Sequence, residues 1–210
     1  KYLGARLNGG YSDHIIVPDS KYIVSYGDMD PAQAAPYACS GLTAFSALKK
    51  IPLTSKDDWI IIIGAGGVGI NGILLSPATH KAKILVIDND PDKRKKAIEA
   101  GANEAFSPDD ETEIRNKIGI GASAAIDFVG RPETTDLGLS LVKKGGMVIV
   151  VGLYGGSLKL SLPLVPMKSM TLRGSYVGEL RELKELVNII KSGKIKLIPV
   201  KKQGLETANQ

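Results

Sequence analysis

The sequence predicts a doubly wound α/β fold built around a parallel sheet. Two short runs, 59–63 and 83–87, are apolar along almost their whole length, and strands of this kind are buried on both faces, as in parallel sheets covered by helices. Helical spacing of apolar residues returns after each run, so strands and helices alternate along the chain. A glycine-rich turn links the first run to the first of these helices, which is the usual connection in such a sheet.

Composition sets the broad class of the protein. The 210 residues are 43% hydrophobic and 23% charged, with 24 Gly and 11 Pro, which is the ordinary range for a globular domain and excludes a disordered or collagen-like chain. A single cysteine, Cys39, cannot form an internal disulfide. We therefore expect a cytoplasmic protein in which this thiol is a buried side chain, a reactive group or a metal ligand.

Charge distribution argues against a nucleic-acid partner, and the residue content of one uncharged stretch argues against a membrane span. The 27 Lys and Arg exceed the 22 Asp and Glu by a formal +5, but they are spread along the chain, and the densest run, 93–96, follows three Asp residues as on the polar face of a helix. The uncharged stretch 59–79 is long enough to span a bilayer. Its five glycines and β-branched start favour a strand, a tight turn and a buried helix instead.

The elements are predicted in chain order. Residues 1–24 alternate between apolar and polar, which predicts short strands. Asp30-Pro31 predicts a helix start, and the alanines that follow carry helix propensity as far as Lys49-Lys50. The remaining predicted elements are strand 59–63, a helix through 70–75, strand 83–87, helix 92–100 ended by Gly101, strand 104–106, helix 110–118, strand 124–129, helix 134–142, strand 147–151, strand 170–175 and helix 180–192 ended by Gly193.

The segment Gly64-Ala65-Gly66-Gly67-Val68-Gly69 is a G-x-G-x-x-G motif between a predicted strand and a predicted helix. Gly64 allows the tight turn, Gly66 lets the backbone approach a pyrophosphate without a Cβ, and Gly69 lets the helix pack against the strand. The N–H groups at the helix start then face the phosphates. The motif predicts a dinucleotide site, and a structural turn without a ligand is the alternative.

Asp88 ends the second predicted strand, where a carboxylate accepts hydrogen bonds from the adenosine ribose hydroxyls. Its charge repels a 2′-phosphate, so NAD is favoured over NADP, and Lys93 and Arg94 offset part of that preference. The alternative role for Asp88 is a helix N-cap. Methyltransferase sites for S-adenosylmethionine also combine a glycine-rich turn with an acid, but the third glycine at this offset favours a dinucleotide.

Seven short segments carry a family resemblance. They are Gly9-Gly10-Tyr11-Ser12, Ala35–Thr43, Gly64–Gly69, Gly101-Ala102, Asp127–Gly130, Val151-Gly152 and Gly174–Gly178. Their order resembles that of the medium-chain zinc-dependent alcohol dehydrogenases and covers essentially the whole chain. The resemblance implies a Rossmann domain flanked by pieces of a GroES-like β domain, NAD and zinc as cofactors, and hydride transfer between an alcohol, or an aldehyde or ketone, and the nicotinamide.

The resemblance also implies a domain division. Residues 1–40 correspond to the C-terminal part of the GroES-like catalytic domain, 41–176 to the Rossmann domain, and 177–210 to a return segment toward the catalytic domain. Lys1 is not an initiating Met, and we expect the chain to be a piece of a longer polypeptide. A homo-oligomer, dimer or tetramer, formed through the predicted edge strand 170–175, is expected by the same likeness.

In the zinc enzymes a cysteine just ahead of a Gly-Leu-Thr-like segment is a ligand of the catalytic zinc, and Cys39 stands at that position. Without the resemblance, a lone cysteine on an alanine-rich helix is a small buried hydrophobe. The family's other zinc ligands and proton-relay residues have no counterpart here, and His14 and His80 fit structural or surface roles. We expect this chain alone to bind cofactor with little or no turnover.

The resemblance assigns further contacts to the cofactor. Thr43, Val68 and Val151 match positions that shape the nicotinamide pocket, and Thr43 is with Cys39 a candidate catalytic residue. The backbone groups that meet the carboxamide match those of Val151, Leu153 and Val177. Lys93 matches the position that reaches the adenosine ribose. Packed core residues are the alternative for Val68 and Val151, because a pocket wall is also packed.

Two other functions remain open. A zinc-free quinone or enoyl reductase of the same superfamily would use NADPH and lack the ligand cysteine, so Cys39 and Asp88 argue against it. A non-catalytic dinucleotide-binding module that senses or stores NADH is consistent with the missing zinc ligands. A Gly-His-Glu segment upstream in a longer sequence would favour the enzyme over the module.

Overall fold

The structure is a computed structural model that describes residues 4, 7–12, 14–52 and 54–207. Its strands in this part of the chain are β1 (Trp59–Ile63), β2 (Lys83–Ile87), β3 (Glu104–Phe106), β4 (Ala122–Asp127), β5 (Val142–Val150) and β6 (Thr171–Gly174). They form one six-stranded sheet in the order β3-β2-β1-β4-β5-β6, and every neighbouring pair is parallel. The predicted doubly wound α/β fold is confirmed.

Helices cover both faces of the sheet. Those described are α1 (Pro31–Ala34), α2 (Ser40–Lys49), α3 (Gly67–Leu75), α4 (Pro91–Ala100), α5 (Glu111–Ile118), α6 (Pro132–Leu141), α7 (Leu164–Lys168) and α8 (Leu180–Lys191). Ile60 and Ile62 of β1 pack in one core with α2, α3 and α8, while Ile61 and Ile63 pack in a second core with α5 and α6. Successive strand residues point to opposite faces, so β1 is apolar throughout because both faces are covered.

Most predicted elements are present with small shifts at their ends. β1, β2 and β3 have the predicted bounds, and α4 ends at Ala100, just before Gly101, whose φ of +114° is the left-handed conformation that favours glycine at a helix end. β4 ends at Asp127, two residues earlier than predicted, and β5 begins at Val142, five residues earlier. The short helix α7 was not predicted.

The prediction of short strands in residues 1–24 is wrong for the described part of that segment. Between residues 7 and 24 the structure has a single bridge residue, Leu7, and one turn of 3-10 helix at Ser20–Tyr22. Ile15 and Ile16 are 46% and 88% exposed. Alternation provides an apolar face, but a strand also needs a neighbour for its hydrogen bonds and a cover for that face.

The predicted helix 31–50 is divided. Asp30 caps its start by accepting a hydrogen bond of 2.9 Å from the Ala32 N–H, as expected for an Asp-Pro helix start. A 3-10 turn at Ala35–Ala38 follows α1, and Cys39, with φ −132° and ψ −77°, separates that turn from α2. Pro36 lacks the N–H that a continuous helix needs, which outweighs the alanine propensity.

The uncharged stretch 59–79 forms β1, the glycine-rich turn, α3 and a 3-10 turn at Ser76–Ala78. α3 is nine residues long and packs its apolar side chains on the sheet. Within the described residues, none of the helices has the length and apolar character needed to cross a membrane.

Candidate dinucleotide site

A cavity of about 670 Å³ lies at the carboxyl ends of β1, β2 and β4. β1 sits between β2 and β4, and the strand order reverses there, which is where ligands bind in open α/β sheets. The cavity brings together seven of the predicted site residues: Gly64, Gly66, Gly67, Val68, Gly69, Asp88 and Lys93.

The glycine-rich loop has the geometry that the motif predicts. Gly64 has φ +92°, and a Cβ on Gly69 would lie 1.9 Å from the Gly64 carbonyl oxygen, so both positions require glycine. A Cβ on Gly66 or Gly67 would meet no protein atom within 4 Å. Packing therefore requires the first and last glycines of the motif, and the two middle glycines border open space in the cavity.

Asp88 is 8% exposed and is bonded to the glycine-rich loop. Its Oδ2 accepts a hydrogen bond of 2.7 Å from the Ala65 N–H, and its Oδ1 accepts one of 2.9 Å from the Asp90 N–H. The N-cap of α4 is Asp90, not Asp88, so the alternative role of Asp88 as a helix cap is wrong. A carboxylate has about four lone-pair positions, so Asp88 retains capacity for ligand hydroxyls.

The two cations after β2 differ in their surroundings. Arg94 Nη1 donates to the carbonyl oxygens of Asp88 and Asn89 at 2.8 and 3.0 Å, so its guanidinium is bound to the backbone beside the cavity. Lys93 is exposed and lines the cavity. Its flexible stem lets the ammonium reach a ligand at the end of β2.

A buried carboxylate organises the loop after β4. Asp127 is fully buried, and its Oδ1 accepts hydrogen bonds of 2.9 Å from the N–H groups of both Val129 and Gly130. Its Oδ2 accepts from the hydroxyls of Thr134 and Thr135 at 2.8 and 2.7 Å. All four bonds satisfy the buried charge and fix the loop that supplies Val129 to the cavity wall.

The loops after β4 and β5 are in direct contact. Gly130 has φ +76°, and a Cβ there would lie 2.0 Å from the Gly152 carbonyl oxygen. Beyond this contact, the Arg131 guanidinium stacks 3.5 Å from the ring centroid of Tyr154, and both side chains line the cavity. Stacking of this kind is attractive because the ring face carries partial negative charge.

The other cofactor contacts that the sequence predicts lie outside this cavity. Val151 and Val177 follow β5 and β6 at the same edge of the sheet, and Leu153 lines a neighbouring cavity of about 370 Å³. Val177 has φ +50°, a conformation that a β-branched residue rarely adopts. Thr43 lies in the first turn of α2, where its hydroxyl donates to the Cys39 carbonyl at 2.8 Å.

The described residues do not by themselves provide a complete zinc site. Cys39 is an exposed free thiol, and in this part of the chain no three His, Cys, Asp or Glu side chains come together as a metal site requires. His14 is exposed and lies in no strand, contrary to expectation. His80 Nε2 lies 2.9 Å from the Leu48 carbonyl oxygen, which supports the structural role predicted for it.

Sequence reasoning missed several residues of the cavity wall. Those with polar or aromatic side chains are Asn89, Phe128, Arg131, Glu133, Thr134 and Tyr154. Most of them follow β4, whose carboxyl end lies beside the glycine-rich loop. The signal that would have found them is the rule that ligands contact the loops after adjacent parallel strands at a switch point.

A glycine-rich strand-to-helix turn, an acid at the end of the second strand and a cavity at the switch point define a dinucleotide-binding α/β domain of the Rossmann type. The chain belongs to the zinc-binding dehydrogenase family, whose sequence profile it matches over residues 67–192. This match covers more than half of the chain and includes α3 and all strands after β1.

Two curated relatives similar to this chain are dehydrogenases. It is 35% identical over 212 residues to an NAD-dependent alcohol dehydrogenase of Sulfolobus acidocaldarius, with 100% of this chain and 61% of the relative covered. It is 34% identical over 200 residues to a D-arabinose 1-dehydrogenase (NADP(+)) of Saccharolobus solfataricus, covering 92% of this chain and 57% of the relative. The chain therefore spans about three fifths of these relatives' length.

A solved structure supports the same fold. The alcohol dehydrogenase of the archaeon Aeropyrum pernix superposes with a TM-score of 0.85 at 28% sequence identity, over 100% of this chain and 62% of that one. The likeness covers every element described above.

Proposed function

We propose that the chain is the cofactor-binding portion of a zinc-dependent, NAD-linked alcohol dehydrogenase. The observation that carries the proposal is the Asp88 carboxylate bonded to the glycine-rich loop within a 670 Å³ cavity at the switch point. Family membership and the alcohol dehydrogenases among its relatives support it. Hydride transfer between an alcohol, or an aldehyde or ketone, and the nicotinamide is proposed for the whole protein.

The residues present fit the adenosine and pyrophosphate portions of NAD. Gly66 and Gly67 leave open space where the pyrophosphate approaches the backbone, and the N–H groups at the start of α3 offer donors and a partial positive charge. Asp88 would accept from the ribose hydroxyls through lone pairs that Ala65 and Asp90 do not use. NAD itself supplies the hydride acceptor.

We propose NAD as the preferred cofactor, although the relatives' names include both NAD and NADP. A 2′-phosphate would meet the negative charge of Asp88 at close range in a largely buried position, where screening is weak. Arg94, the cation nearest in sequence after Lys93, already donates to two backbone carbonyls. Lys93 is left to offset part of this repulsion. We therefore propose that NADP binds more weakly than NAD but is not excluded.

The nicotinamide half is proposed to lie toward Thr43, Val68 and Val151. The Val151 N–H already donates to the Asp127 carbonyl at 2.9 Å, so its carbonyl is the backbone group left to accept from the carboxamide. The backbones of Leu153 and Val177 are proposed as its other partners. The positive φ of Val177 supports this role, because strained backbone is commonly retained at ligand sites.

Cys39 is proposed as one ligand of a catalytic zinc in the full-length protein, because its thiol is exposed and a thiolate is a strong zinc ligand. Within the described residues, Cys39 belongs to no group of three or more His, Cys, Asp or Glu side chains that could hold a metal ion. Replacing Cys39 by Ser in the full-length protein is expected to abolish zinc retention at this site. Unchanged metal content measured by atomic absorption would refute the assignment.

The domain division 1–40, 41–176 and 177–210 remains a proposal. All six strands lie between residues 59 and 174, which supports 41–176 as the bounds of the Rossmann domain.

We further propose that β6 forms the interface, or seam, of a homodimer, since it is an edge strand of the sheet with exposed residues, including Leu172 at 43%. Analytical ultracentrifugation that gives a strict monomer of the unaltered chain contradicts the seam.

The cofactor proposal is tested by parallel titrations of the chain with NADH and NADPH. Calorimetry measures affinity, and energy transfer from Trp59, the only tryptophan, reports the bound nicotinamide. Tighter binding of NADH than of NADPH is expected. Absence of binding by a chain shown to be folded by circular dichroism would leave the glycine-rich loop as a structural turn and refute the proposed function.

A further inference from the structure

Asn71 is fully buried and is the only polar side chain in α3. Its Nδ2 donates to the Gly67 carbonyl at 2.9 Å and to Ser40 Oγ at 3.2 Å, whereas its Oδ1 has no partner among the described residues. Since a carbonyl only accepts, the nitrogen must face Gly67, and the oxygen is necessarily the unpaired atom. A well-packed apolar residue would avoid this cost, so the amide points to a role other than stability.

Ser40 links Asn71 to the turn that carries Cys39. Its Oγ donates to the Pro36 carbonyl at 2.9 Å, and the Cys39 N–H donates to the same carbonyl at 3.4 Å. On the other side, the Cys39 carbonyl accepts from both the N–H and the hydroxyl of Thr43 at 2.8 Å. The backbone of Cys39 is thus held at both ends, and the next residue along the chain is bonded to α3.

We propose that Asn71 is a positioning residue that holds the Cys39 turn in register with the glycine-rich loop through Ser40. α3 begins at that loop, and its first residue, Gly67, is itself bonded to Asn71. A ligand that orders the loop therefore also orders Asn71, and through Ser40 the backbone on which Cys39 stands. The inference rests on the proposed function in one respect, that a dinucleotide occupies the loop.

The thiol of Cys39 is the reporter, because it is the only cysteine and is exposed. Its alkylation by iodoacetamide is followed by mass spectrometry with and without saturating ADP-ribose, which lacks the nicotinamide and so does not cover Cys39 with that group. Bound ADP-ribose is expected to slow alkylation of the unaltered chain by about threefold or more. In Asn71→Leu, Cys39 is expected to be alkylated faster than in the unaltered chain when no ligand is present. Its alkylation rate is expected not to change when ADP-ribose is bound.

Three further variants separate positioning from general stability. Ser40→Ala removes the link and is expected to behave like Asn71→Leu, whereas Ser40→Thr keeps the hydroxyl and is expected to restore the response. Ser76→Ala is the matched control, because it removes a buried hydroxyl at the end of α3 that donates only to the Ile73 carbonyl of the same helix. If Asn71→Leu does not fold, as judged by circular dichroism, the Ser40 pair carries the test.

Two results would overturn the inference. One is an unaltered chain whose alkylation rate is the same with and without bound ADP-ribose. The other is a response to ADP-ribose in Asn71→Leu or Ser40→Ala equal to that of the unaltered chain. Failure of ADP-ribose to bind at all refutes the proposed function instead, and the ligand-free alkylation rates of the variants then decide the positioning role alone.

Discussion

The Oδ2 atom of Asp88 lies 2.7 Å from the backbone nitrogen of Ala65, so the acid at the end of β2 is bonded to the loop at the end of β1. Hydrogen bonds to charged acceptors are the stronger class in proteins. The same carboxylate that is proposed to hold the ribose therefore also holds the glycine-rich loop in its open shape. Loss of Asp88 is expected to affect both the contact with the ribose and the shape of the glycine-rich loop.

Asp88→Ala is expected to weaken NADH binding by about tenfold or more, because it removes charge-assisted hydrogen bonds worth about 1.5–3 kcal/mol each. NADPH is expected to lose less, since the repulsion of its 2′-phosphate disappears as well. Calorimetric titration of both cofactors measures the change. Asp92→Ala, on the exposed side of the first turn of α4, is the matched control. Equal loss of NADH and NADPH affinity would contradict the assigned selectivity.

Replacing two glycines of the motif by alanine is expected to have different effects, one on stability and the other on cofactor binding. Gly69→Ala places a Cβ against the Gly64 carbonyl, and overpacking of this kind costs about 1–3 kcal/mol or more in the free energy of unfolding. Gly66→Ala meets no protein atom and has φ −70°, so we expect unchanged or slightly raised stability with weakened NADH binding. Urea denaturation and calorimetry separate the two effects. A stable Gly69→Ala would disprove the close packing.

Asp127→Ala is expected to lower the free energy of unfolding by about 3 kcal/mol or more, because it leaves the N–H groups of Val129 and Gly130 and the Thr135 hydroxyl without their acceptor. Asp136→Ala, an exposed position on α6, is the control and is expected to change stability by less than about 0.5 kcal/mol. Chemical denaturation of both variants provides the measurement. Similar values for the two would show that the Asp127 cluster contributes little.

Stability in acid is expected to depend on Asp58. The Lys143 ammonium, 2.7 Å away, holds the pKa of Asp58 well below its usual range, with help from the Ser123 hydroxyl and the Ser55 N–H. A lowered folded-state pKa contributes stability above the unfolded value of about 3.9 and loses it as pH falls below that value.

Lys143→Ala is therefore expected to be less stable at neutral pH and to show a smaller fall in stability below about pH 4 than the unaltered chain. Urea midpoints measured from pH 7 to pH 3 test this, with the exposed Lys144→Ala as control. Parallel curves for the unaltered chain and Lys143→Ala would mean that the ion pair does not lower the pKa of Asp58 appreciably.

The sequence was sufficient for the centre of the sheet and the loop beside it. β1 and β2 have their predicted bounds because each is an apolar run that ends at a fixed signal, Gly64 or Asp88. The glycine motif is a local pattern whose spacing itself defines the turn. Both features depend on residues close together in sequence, so they are readable without the fold.

Features that depend on distant segments were not readable in this way. The stack of Arg131 on Tyr154 exists because the loops after β4 and β5 meet at Gly130 and Gly152, and neither residue belongs to a local motif. The alternation in residues 1–24 predicted strands, but pairing requires a partner that is absent from the described residues around it. The break at Cys39 shows the same limit, since the alanine propensity of this segment is overridden by Pro36.

The pairing of β1 with β4 joins Ile60 to Ala124, with β2, β3 and three helices in the intervening chain. A contact between residues so far apart in sequence forms slowly, because the entropy cost of closing the loop must be met before the contact can stabilise the chain. The cavity walls from β1 and β4 exist only once this pairing is complete. A cofactor that binds there recognises only the finished fold, so it is expected to slow unfolding and to leave the rate of folding unchanged.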